Sequence, residues 1–173
     1  MPRFDWNGQS KVDEYISTQE EVRVYINGQT YGRLKGNSPR VEIELVDGQS
    51  VLDLSEFYTD EVFVADKVDG QSTLYVRSNG DVRFRGKVDG QSMVVCCASR
   101  GIDFRDKIDG QSRVLYSSGG PVQGPLVNGR STVLWQGQAP AFHVVDGQSI
   151  VFPLPAFLRI DCEMEAGNAP ILR

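Results

Sequence analysis

One histidine, three cysteines and no long apolar run mark what this sequence does without. A transmembrane helix needs roughly 18 or more consecutive apolar residues, and none is present, so no membrane partner is expected. The opening Met-Pro-Arg-Phe-Asp holds no apolar signal core, which predicts an uncleaved cytoplasmic chain. With His143 alone and no Cys-x-x-Cys spacing, the ligand set of a zinc site is missing, and no cofactor is expected. Cys96, Cys97 and Cys162 are odd in number and two are adjacent, so they do not read as a disulfide framework. Cys96 and Cys162 are expected as small buried apolar residues. Helical periodicity of useful length is absent as well. The net charge of −5 argues against nucleic acid as a partner. Residues 62–121 carry nine Lys/Arg and seven Asp, a balance of +2, which reads as a salt-bridged surface and not a phosphate-binding stripe.

What the chain does contain is one word written eight times. An aliphatic or aromatic residue is followed by Asp/Asn-Gly-Gln/Arg-Ser/Thr, with glycines at Gly8, Gly28, Gly48, Gly70, Gly90, Gly110, Gly129 and Gly147. The steps between them are 20, 20, 22, 20, 20, 19 and 18 residues. A period of this length is the mark of a repeat architecture. Within each unit the hydrophobic period is two. Val82, Phe84 and Val88 share one face, with Arg83, Arg85 and Lys87 on the other; Val94 and Cys96 resume the apolar face beyond the glycine. A second turn, such as Ser78-Asn79-Gly80 or Ser99-Arg100-Gly101, falls about ten residues after each word. The chain is all-β.

Two architectures fit. One is a parallel β-solenoid (β-helix) of about 20-residue coils, with equivalent positions stacked about 4.8 Å apart. The other is an antiparallel β-hairpin meander, closed as a barrel, prism or sandwich, in which each Asp-Gly makes a hairpin turn. A hairpin has little use for the recurring Gln-Ser, whereas a solenoid does. If the strand continues through the word, Val88, Gly90, Ser92, Val94 and Cys96 all point inward, and Ser72, Ser92 and Ser112 bond to one another along the axis. Asp69, Asp89 and Asp109, with Gln71, Gln91 and Gln111, then form outward ladders. The solenoid is the expected fold, as a single domain: 1–20 an N-terminal cap or first half coil, 21–155 the coils, 156–173 a capping strand and tail. Segment 31–41 breaks the pattern. Val41, Ile43 and Leu45 are out of step with Val46, which predicts a bulge.

Tracts such as Gly86-Lys87-Val88-Asp89-Gly90 resemble the bactofilins, a family of polymerising β-helical scaffold proteins. The resemblance covers about five residues per coil; bactofilin coils are shorter and lack the Gln-Ser word. What it implies is that such solenoids stack into filaments.

Chemistry is hard to place on these residues. His143 lies near Asp146 and Ser149, but those two belong to the word, and the other copies have no histidine. A serine repeated on every coil is a packing element before it is a nucleophile. The aspartate column would attract a cation, yet Lys67, Lys87 and Lys107 lie two residues before it and neutralise it, and Asn stands there at positions 7, 27 and 128. Ice binding wants a regular hydroxyl array, and the position after the word's Ser/Thr varies from Lys11 to Ile150. The expected function is therefore non-enzymatic: a structural or interaction solenoid engaging a protein partner or itself through its ends or flat faces. Arg83, Arg85, Arg105, Arg113 and Tyr75 are the face residues, and Leu158, Ile160, Cys162 and Met164 an end-contact strand. A polysaccharide or extended-polymer binding module is the alternative, and an ice-binding or cation-binding repeat the third.

Overall fold

The computed structural model describes residues 1–160. The strands fall into two parallel sheets. Sheet A holds, in spatial order, β1 (Arg3–Trp6), β3 (Val22–Ile26), β5 (Arg40–Val46), β8 (Glu61–Val64), β10 (Asp81–Phe84), β12 (Gly101–Phe104), β14 (Val122–Val127) and β16 (Pro140–Val145). Sheet B runs β2 (Gln9–Ser17), β4 (Gln29–Asn37), β6 (Val51–Asp53), β9 (Thr73–Ser78), β11 (Met93–Ala98), β13 (Arg113–Ser118), β15 (Thr132–Gly137) and β17 (Ile150–Pro153), with β7 (Phe57–Tyr58) beside β4. Each strand pairs with the one a coil earlier and a coil later. Asp81 aligns with Glu61 and Gly101, and Val94 with Leu74 and Val114. This is a β-solenoid of about eight turns, and the hairpin alternative is excluded because the pairing is parallel. A narrow third side is marked by single bridges along Val46, Val68, Val88, Ile108 and Val127.

Alternation sends one side chain in two into the lumen between the sheets. Val22, Val24, Ile26, Val82, Phe84, Val88, Val94 and Cys96 are all buried in one core running the length of the coils. Stacked register makes like meet like: Phe84 and Phe104 stack with centroids 4.8 Å apart, and Phe142 tilts onto Phe104 at 6.1 Å. Where a large ring enters, the neighbouring coil supplies glycine. A Cβ at Gly32 would meet the Trp6 ring at 2.3 Å, and one at Gly124 would meet Phe142 at 2.9 Å.

The bulge in β5 is present, between the pairs Val24–Ile43 and Tyr25–Leu45. Segment 31–41 does not interrupt the fold; residues 31–37 continue β4 in register with β2, and Arg40 opens β5. The true irregularity lies at 54–56. The 22-residue step between Gly48 and Gly70 is absorbed there, between β6 and β7, both of which pair with β4. Asp53 accepts from the Ser55 backbone N–H at 3.0 Å and holds this outward loop.

Candidate functional site

The repeated word is a corner, and it is used up by making one. Asp89 Oδ1 accepts the Gly90 N–H at 2.8 Å, and Gly90 takes φ +70°, the left-handed region that glycine enters without penalty. The strand therefore does not run through the word as expected; it ends at Phe84, is followed by a single bridge at Val88 and resumes at Met93. The serines differ from expectation too. Ser92 and Ser112 stay buried but donate to the carbonyls of Asp89 and Asp109, at 2.7 Å each, and not to one another. A tight turn leaves its first carbonyl facing inward, and the hydroxyl three residues on is the nearest donor. Ser72 is buried likewise.

The outward ladders are present. Gln71 Nε2 donates to Gln91 Oε1, and Gln91 Nε2 to Gln111 Oε1, at 3.1 Å each, continuing a chain from Gln29 and Gln49. Lys67, Lys87 and Lys107 reach Asp69, Asp89 and Asp109 at 3.3, 3.0 and 3.2 Å. Burial opposes the charged form of Asp89, but the Gly90 N–H and the Lys87 and Lys107 ammonium groups outweigh it and hold the carboxyl below its usual range. Hydrogen bonding and attraction to their aspartates raise Lys67 and Lys87. Among the described residues no three His, Cys, Asp or Glu side chains gather as a metal site.

The expected face residues divide between two faces. Arg83 lies on sheet A, 3.8 Å from Glu61 and from Asp81, and Arg105 lies one residue past β12, 3.5 Å from Asp103. Arg85 is exposed just beyond β10. Tyr75 and Arg113 belong to sheet B. Tyr75 is half-buried in a small apolar cluster on that sheet's outer side, with Val95, Cys97, Met93, Leu115, Leu154 and Ile160. Ile160 is 2% exposed, and its backbone N–H and C=O both bond to the Gln136 amide. So the final segment, as far as it is described, folds back along the flank of sheet B and not across the open end. Leu158 is half-buried nearby in sequence; Cys162 and Met164 lie outside the described residues. Cys97 is disulfide-bonded, which the odd cysteine count did not suggest. Cys96 is buried in the core as expected, and burial pushes its thiol up.

The two ends of the solenoid differ. At the N-terminal end Trp6 turns into the lumen and is 7% exposed, with Phe4 against it. On β2, Glu14 shares the register of the buried Leu34, so a carboxylate stands at a lumen position of the first coil, and it is exposed. At the C-terminal end the matching positions are apolar. Phe142 and Val145 share register with Gly124 and Val127, and Val151 with Val133. Val144, Val145 and Phe152 are 49%, 48% and 58% exposed, and β16 and β17 have no strand beyond them among the described residues. His143, the lone histidine, is exposed on β16.

A second feature was invisible to periodicity. On the outer side of sheet B two carboxylates are buried, Asp53 at 5% and Glu56 at 8% exposure. Glu56 pairs with Arg33 and lies 3.8 Å from Lys35. Burial, then Asp53, raises the hydroxyls of Tyr31 and Tyr75. Above this network Tyr15 and Tyr58 stand 71% and 43% exposed, on either side of a cavity of about 540 Å3. Arg77 lies over the Tyr58 ring at 4.6 Å. The one signal that pointed here was the 22-residue step, since the extra residues are those that carry Glu56 outward.

No family model, curated protein or solved structure matches the chain. What it can do therefore rests on its own surfaces: a charge-paired sheet A, a polar and aromatic cleft on sheet B, and one apolar end with no strand over it among the described residues.

Proposed function

We propose that the protein is a non-enzymatic interaction module that pairs with a second copy of itself through its C-terminal end. The observation that carries this reading is the contrast between the ends. A terminal coil with unpaired backbone invites another strand, and natural β proteins block such edges with charges pointing inward. The first coil has that device in Glu14, beneath the Trp6 plug. The last coil has none and offers Phe142, Val145 and Val151.

The same contrast chooses the partner end. Head-to-tail stacking in register would lay β2 on β17, set Glu14 over Pro153 at a lumen position and strip the carboxylate of its water, at a cost of several kcal/mol. Tail-to-tail contact buries apolar against apolar and is self-complementary, so it closes at two copies. The end is narrow beside a standard interface of about 800 Å2 per partner, so association in the micromolar range is expected.

Sedimentation equilibrium across a concentration series tests this. The native chain should shift from monomer to dimer and stop there, and Val144→Glu should remain monomeric with an unchanged melting temperature, since Val144 is half-exposed already. A native chain that stays monomeric at about ten times the expected micromolar Kd sinks the reading. Filaments that lengthen with concentration sink the tail-to-tail arrangement.

A further inference from the structure

We infer that sheet B carries an axial groove that binds an extended, uncharged glycan, with Tyr15 and Tyr58 as stacking platforms for its sugar rings. This is independent of pairing at the C-terminal end. Three cavities, of about 540, 270 and 470 Å3, adjoin one another where sheet B meets its second turn. The first and second share Asn37 and Tyr58, and the second and third share Asn79. Because β2, β4, β7, β9, β11 and β13 are stacked across the axis, cavities lined by residues of successive strands make one trough along it. Each coil advances the trough by about 4.8 Å, close to the advance of one pyranose along an extended chain.

The lining chooses the ligand. Tyr15 and Tyr58 are 71% and 43% exposed, and aromatic rings suit the apolar faces of sugar rings. Tyr58 is held in place by the Arg77 guanidinium against it, and on β4 it aligns with Asn37. Further along come Thr18, Thr59, Asn79, Ser99 and Ser117, side chains that both donate and accept hydrogen bonds, as a polyhydroxyl chain requires. The cations near the first cavity are already matched. Arg33 pairs with Glu56, and Lys35 lies between Glu56 and Asp13 at 3.8 and 3.9 Å. A polyanion would have to break those pairs against a net charge of −5. A peptide adding as a strand needs a free sheet edge, and beyond β2 this trough crosses strands β4, β9 and β11, which are paired on both sides. Gly36 floors the first cavity; a Cβ there would fall 1.7 Å from the Ile16 carbonyl oxygen.

Affinity electrophoresis in native gels tests the assignment, with hydroxyethylcellulose, galactomannan, xyloglucan and dextran as neutral probes and polygalacturonate as the charged one. At least one neutral glycan should retard the native chain. Tyr15→Ala and Tyr58→Ala should each weaken that retardation about tenfold, the equivalent of one lost aromatic contact. Tyr15 is 71% exposed, so Tyr15→Ala should melt as the native chain does, Tyr58→Ala should melt slightly lower because it also loses the Arg77 contact, and Arg105→Ala beside sheet A should bind as the native chain does. Three results overturn the inference: no retardation by any neutral probe, retardation by polygalacturonate alone, or neutral binding that survives both tyrosine substitutions.

Discussion

Replacing Gly90 with alanine separates two reasons for a glycine, and Gly8 is its control. Both take left-handed backbone, at φ +70° and +97°, where an L side chain costs about 1–2 kcal/mol. Their surroundings differ. A Cβ on Gly8 meets nothing within 4 Å, since β2 ends sheet B among the described residues. A Cβ on Gly90 falls 2.5 Å from the Gly70 carbonyl oxygen, 2.8 Å from Asp69 Oδ1 and 2.9 Å from the Gly70 nitrogen. That carbonyl accepts the Gln91 N–H at 2.8 Å, so it cannot retreat without losing the bond that joins the two corners. Overpacking of about 1–3 kcal/mol and a weakened hydrogen bond of about 1 kcal/mol then add to the conformational cost. Gly8→Ala should lose about 1–2 kcal/mol and Gly90→Ala at least about 3 kcal/mol. At about 2–4 °C per kcal/mol for a chain of this size, Gly90→Ala melts at least about 6–12 °C lower, against about 2–8 °C for Gly8→Ala. Asparagine sharpens the test, because it tolerates left-handed backbone but still carries a Cβ. Gly8→Asn should nearly restore the melting temperature and Gly90→Asn should not. Equal losses at the two sites, by calorimetry and by urea unfolding, would refute stacking contact as the reason for the word's glycine.

The amide ladder should be non-additive: Gln71→Ala and Gln91→Ala each remove two links, but the double variant removes three, so its loss in urea midpoint should fall short of the sum of the singles. The Asp89 carboxyl is held low, so its contribution to stability is complete above about pH 4 and disappears as pH falls through its folded value. Lys67 and Lys87 are raised, so theirs is complete below about pH 10 and disappears as pH rises through theirs. Burial raises the Cys96 thiol, so the unfolded chain ionises there first and stability falls from about pH 8.5 upward. The denaturation midpoint should therefore be level between about pH 5 and 8 and fall outside it; a decline that begins between about pH 5 and 7 contradicts this coupling. Cys96, buried with its thiol raised, should not react with a disulfide reagent until the chain is unfolded, and native-state labelling would place it outside the core.

The coil was legible because its physics is periodic. Val82, Phe84, Val88, Val94 and Cys96 face the lumen as their spacing says, and the break in parity between Leu45 and Val46 betrayed a bulge, which lies between Ile43 and Leu45. The corner was legible in its parts but not in its bonding. Alternation alone carried the strand through Gly90, whereas the Asp89 side chain and the left-handed glycine close a turn there, and that redirects Ser92 to its own corner. The ladder of Gln71, Gln91 and Gln111 was legible because a parallel stack repeats whatever one coil presents. The cleft was not, since it is made by the coil that departs from the repeat. Glu56 has no counterpart in other coils, and Tyr15 and Tyr58 sit two strands apart, so no period links them. Tyr75 looked like a free outward aromatic because nothing in its own coil shows that Ile160 folds over it.

Because every sheet neighbour lies about one coil away in sequence, separations near 20 residues dominate a chain of 173. The relative contact order is then about 0.12, the range of mixed α/β domains and below that of β-sandwiches. An all-β protein built this way closes only short loops as it folds, coil onto coil, and is expected to form its native sheets faster than its strand content alone would suggest.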